Sequence, residues 1–168
     1  MPERRSGSDS PVIALVLIAA TAALMVGVGT RLVDLHFTIG PYNMHHWIAW
    51  AGGAFVALFT PVFYVLKRRS KESREALLPW HVFGGLLAAA AISAHFTQRV
   101  TRPAEFYPDL GTGIVLYSAM TISVITGVCI RYRVLAPAMR EWRALHVGAT
   151  VTFYLAIAGH VLKGLGVI

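Results

Sequence analysis

Five apolar stretches alternate with short polar connectors along the chain, at about 11–31, 44–66, 78–98, 112–131 and 142–163. Each approaches the roughly twenty residues that an α-helix needs to cross the hydrocarbon core of a bilayer. The connectors hold residues that end helices: Gly40-Pro41, the charged run Lys67–Glu75 ahead of Pro79, Pro103, Pro108-Asp109-Leu110-Gly111, and Pro137. The pattern predicts an all-α, polytopic membrane protein with five transmembrane helices. A short tail, 1–10, precedes a single transmembrane domain, 11–168. The start of the chain resembles a secretory signal in outline. Its apolar run through Val12–Thr30 is long for a signal core and no small-residue cleavage site follows, so it reads as a retained helix.

Composition agrees: 56% of the 168 residues are hydrophobic and 14% charged, against about 25% charged in soluble domains. A chain this short is expected to hold the spans without a second folded domain, so a flavin or iron–sulfur module would come from a partner subunit. The formal charge of +7 does not point to nucleic acid, because the basic residues fall in the connectors. Eleven of the 15 Lys and Arg residues are in the tail (Arg4, Arg5), the second connector (Lys67, Arg68, Arg69, Lys71, Arg74) and the fourth (Arg131, Arg133, Arg140, Arg143). Arg31, Arg99, Arg102 and Lys163 lie on the other side. The excess of basic residues on cytoplasmic loops then predicts a cytoplasmic N-terminus and an external C-terminus. The expected location is a bacterial or archaeal plasma membrane. Helices three and five both run outward.

Those two helices carry the candidate chemistry. His81 and His95 are fourteen residues apart on the third, and His146 and His160 fourteen apart on the fifth. Fourteen residues is close to four α-helical turns, which places both members of a pair on one face about 21 Å apart. His81 is expected to face His146 near the inner surface, and His95 to face His160 near the outer one. Ionisable groups inside a bilayer are rare and usually functional. Opposed imidazoles at two levels suit two b-type haems with bis-histidine ligation. Zinc would need three or four ligands close together. Cys129, the single cysteine, excludes a C-x-x-C-H attachment and reads as a packing residue.

Gly113 and Gly127 on the fourth helix are also fourteen apart and fall at the outer and inner levels, where a missing Cβ lets a flat porphyrin approach. Gly52 and Gly53 are weaker candidates for the outer level, and Gly84, Gly85, Gly148 and Gly159 flank the ligands. Arg99, one turn after His95, and Arg143, one turn before His146, are candidate partners for haem propionates. Trp47, Trp80, Trp142, Tyr42 and Tyr132 read as interfacial aromatics.

Two histidine pairs with thirteen intervening residues, on parallel helices with paired glycines beside them, resemble the di-haem core of the cytochrome b superfamily. The glycines resemble the haem-packing glycines of the respiratory cytochrome b N-terminal region. Placement on the third and fifth helices resembles the ferric reductase and NADPH oxidase transmembrane domain. The resemblance covers roughly residues 44–163. It implies a four-helix haem-binding bundle of helices two to five, with His81, His95, His146 and His160 as ligands. Against the resemblance, five spans are expected and not six, no flavin or nicotinamide domain is expected, and the sequence holds no Pro-Glu-Trp-Tyr segment.

The expected function is a di-haem subunit that carries electrons across the bilayer between a quinone pool or redox partner and an acceptor on the opposite face. Expected partners are lipid, other redox subunits (a cytochrome, flavin or iron–sulfur protein) and a quinone. Two alternatives stand beside it. One is a quinol-oxidising or ferric-reductase-like catalyst using His36, His45 and His46, with Glu105 and Asp109 as outer carboxylates. The other is a structural anchor for a peripheral redox complex.

Overall fold

The computed structural model describes residues 11–102, 111–164 and 166–167; the tail with Arg4 and Arg5, and the carboxylates Glu105 and Asp109, lie outside them. Helix α1 (Pro11–Gly29) leads through a small antiparallel hairpin, β1 (Thr38–Ile39) and β2 (Tyr42–Asn43), into α2 (Met44–Leu66). Next come α3 (Lys71–Pro79), a π-helical turn (Trp80–Gly84) and α4 (Gly85–Val100), then α5 (Gly111–Tyr132), a 3-10 turn (Ala136–Ala138) and α6 (Met139–Gly164). Among the described residues, five helical segments are long and apolar enough to span a membrane, and the third runs unbroken through α3, the π turn and α4 over Lys71–Val100.

That third span begins well before the expected residue 78. Ser70 caps it, its hydroxyl accepting from the Ser73 backbone N–H at 3.0 Å, which satisfies one of the donors left open at a helix start. Lys71 and Glu75 add an exposed i,i+4 pair at 3.7 Å. Pro79 then lacks the N–H an α-helix needs and crowds the preceding turn. The chain accommodates it by widening into the π turn, which carries His81.

Helices α5 and α6 pack along each other, as do α2 and α4, and α1 lies against α4. The core sits mid-span: Ala89 and Ile92 of α4, Leu116, Ala119 and Met120 of α5, and Phe153 of α6. Small alanines let the helices approach, as is usual between membrane helices. Tyr154 ties α6 to α2 by donating to the Val56 carbonyl at 2.7 Å. Tyr117 stacks on Phe96 at 4.0 Å and donates to Met25 Sδ at 3.4 Å, so α1 is joined to the bundle. Large apolar side chains cover the outside, including Leu15, Leu58, Leu87 and Leu155. That surface belongs in lipid.

Candidate cofactor site

At the end where Lys67 and Arg143 lie, a cavity of about 1120 Å³ opens between α2, α4, α5 and α6. Its walls are apolar, with Val82, Leu86, Val124 and Phe153 among them, and His81 and His146 project from two of them. Its mouth is ringed by Lys67, Arg74, Arg131, Arg133 and Arg143, with Glu75 the one carboxylate. Burial pushes the Lys67 ammonium below the ordinary lysine range, and neighbouring Arg68 adds repulsion.

The two imidazoles come together as expected. Their ring centroids are 6.4 Å apart and their planes perpendicular. A metal–imidazole bond of about 2.0 Å on each side, plus the distance from nitrogen to ring centre, calls for a separation of roughly 6 Å. Any rotation about the shared nitrogen–metal–nitrogen axis is compatible with such a pair. Phe63 lies parallel to His81 at 4.4 Å and fixes that ring's plane. His146 is held from α5: its Nδ1 donates to the Ser123 carbonyl at 2.9 Å and lies 3.2 Å from Thr126 Oγ1. A carbonyl can only accept, so Nδ1 carries the proton and Nε2 keeps its lone pair. Metal-binding histidines are commonly oriented in this way.

Helix α5 repeats the device at the other end. Thr112 Oγ1 lies 3.1 Å from His160 Nδ1. Gly127 and Gly113 sit beneath the same two rings. A Cβ at Gly127 would come within 3.2 Å of His146 Cε1, and one at Gly113 within 3.8 Å of His160 Cε1. In this structure the atoms these glycines make room for belong to the imidazoles. Thr112 and Thr126 are fourteen apart, like the glycines that follow them, and that repeat of Thr-Gly was the sequence signal available for both hydroxyls.

His95 is placed differently. It lies 5.3 Å from His45 and 5.2 Å from His46, ring to ring, on the side toward α2. One ring nitrogen from each of these three residues lies within 4.8 Å of the others. Arg99 lies within electrostatic reach of His46, His95 and His160. Gly52 is used for helix packing, since a Cβ there would meet the Ala88 carbonyl at 2.9 Å, and Gly53 faces Ile157. Gly84 lies under the Phe55 ring, whereas Gly85, Gly148 and Gly159 face open space. Cys129 is half-buried.

His36 sits at the surface, 3.1 Å from Asp34 and with Nδ1 2.7 Å from the Gln98 amide nitrogen. The His36 backbone N–H and ring hold the Asp34 carboxyl below the usual carboxylate range.

Comparison of the chain with known protein families, with curated proteins and with solved structures returns no match, so these side chains carry the functional argument by themselves.

Proposed function

We propose that the protein is an electron-carrying membrane subunit that holds a b-type haem between His81 and His146. One observation carries the reading: imidazoles from two different spans oppose each other across 6.4 Å beside an apolar cavity large enough for a porphyrin. Ligand pockets typically measure about 300–1,000 Å³. The arginines and lysine at the mouth, Arg143 among them, suit two anionic propionates. Held by His81 and His146, haem would supply a one-electron redox centre. The chain's own part is to exclude water with Phe63, Leu86 and Phe153, and to keep the His146 proton on Nδ1.

A second haem between His95 and His160 is the alternative reading of the other level: Thr112 and Gly113 beneath His160 support it, and the contacts of His95 with His45 and His46 count against it. Together the two levels would make the di-haem conduit of a cytochrome b-like subunit. It would exchange electrons with a quinone pool or a redox partner, with the basic end in the cytoplasm. The test is a reduced-minus-oxidised spectrum and a haem count on the purified chain. A b-type spectrum lost in His81→Ala and in His146→Ala is expected. A full-length protein that takes up no haem would end the proposal.

A further inference from the structure

The end of the bundle away from the basic mouth holds an unusual density of buried polar atoms without hydrogen-bond partners: His45 Nε2, His46 Nδ1, His95 Nδ1 and Gln98 Oε1. Each such atom is costly to bury unless something satisfies it. Three of the four are imidazole nitrogens, and they belong to the three histidines that converge within 4.8 Å. His45 is completely buried, and its Nδ1 donates to the Leu35 carbonyl at 3.3 Å. That bond fixes the tautomer and leaves Nε2 as a lone pair with no donor to meet it.

We propose that His45, His46 and His95 form a site for one divalent first-row transition-metal ion, such as zinc or cobalt. Neutral imidazole is a preferred ligand for such ions. Three nitrogens leave a fourth position for water or an exogenous ligand. A tetrahedral ion with bonds of about 2.0 Å would hold its nitrogens roughly 3.3 Å from one another, so binding would draw the three rings together from their separations of up to 4.8 Å. His36 lies 6.0 Å ring to ring from His45 and is itself paired with Asp34 at 3.1 Å. Arg99 and Arg102 act on the same imidazoles, so coordination bonds, not the local field, must hold the cation.

The site is independent of the haem proposed at His81 and His146. It competes with the second haem, because both would use the His95 imidazole. The test uses the full-length protein in detergent, stripped with a chelator and titrated with Co²⁺ and Zn²⁺, with haem counted in parallel. One Co²⁺ per chain, with the visible bands of tetrahedral nitrogen ligation, is expected. His46→Ala and His95→Ala should each weaken it by about 100-fold or more, the upper range for disturbed metal sites. His81→Ala should lose haem and keep the cobalt, so failure of one proposal is distinguishable from failure of the other. His46→Gln, at a half-buried position, guards against misfolding because its haem content should stay unchanged. Absence of stoichiometric binding, equal affinity in both alanine variants, or two haems per chain with one lost in His95→Ala would each overturn the ion site.

Discussion

At the basic end, His81 and His146 face each other across 6.4 Å beside a wide cavity. At the opposite end, His160 is engaged by Thr112 while His95 lies among His45 and His46. The number of residues between the members of each pair is identical, yet among the described residues the ring contact between the third and fifth spans is that of His81 with His146. The difference comes from the backbone. Helix α6 is a single α-helix from Met139 to Gly164, so His146 and His160 share a face, and α5 meets both with the same Thr-Gly support. Between His81 and His95 the third span passes through a π turn. A π turn adds a residue to the repeat, so fourteen residues no longer complete a whole number of turns. His81 therefore stacks on Phe63 and reaches His146 of α6, whereas His95 lies among His45 and His46 of α2. Equal spacing in sequence is equal geometry only when the helix between is uniform.

The largest effect that breaks the comparison is expected from the ligands at the basic end. His81→Ala or His146→Ala should abolish haem at that level, read as haem per chain, and should leave the Thr112–His160 end unchanged. Next comes the orienting hydroxyl. Thr112→Val removes the one hydrogen-bond partner described for His160 Nδ1, whereas Thr126→Val leaves His146 with the Ser123 carbonyl. If α6 histidines bind cofactor at both levels, Thr112→Val should weaken binding at its level about 10–100-fold, as loss of such partners does elsewhere. Thr126→Val should have a much smaller effect; equal losses would mean that the hydroxyls act alike.

The glycines sharpen the same contrast. Gly127→Ala forces a methyl to 3.2 Å from His146 and should destabilise the protein by about 1–3 kcal/mol, the usual range for overpacking. Gly113→Ala, with its nearest contact at 3.8 Å, should stay within about 0.5 kcal/mol. Thermal denaturation in detergent measures both. Smallest is Ser70→Ala, which removes the cap that extends the third span toward the cavity mouth. It should cost about 1 kcal/mol and should be visible as faster hydrogen exchange over 71–75.

Much of the fold was legible from apolar run lengths alone, since spanning helices are specified by hydropathy over some twenty residues. The boundaries were less so. Lys71–Leu77 reads as a charged connector, and only the Ser70 cap and the side-chain pairing reveal that it is helical. At the site, His81, His146, Gly127 and Arg143 were legible because spacing and charge place them at one level. The neighbours of His95 were not. A period of 3.6 carries no mark of the π turn after Pro79, and the separation of fifty residues between His45 and His95 gives no hint of their contact. Ser123 was invisible because its contribution is a main-chain carbonyl, which every residue has.

The hairpin Thr38–Asn43 has an implication for how the protein matures. Trp47 donates to the Ile39 carbonyl at 2.9 Å, Met44 pairs with Phe37 at 3.0 Å, and Leu35 reaches down to His45. These bonds lay a cover of main chain over one end of the bundle, while the other stays open between α3 and α6. A haem bound as proposed between His81 and His146 would be delivered through the cavity at that side. Anything seated beneath the cover must enter before it folds down, or wait for it to lift.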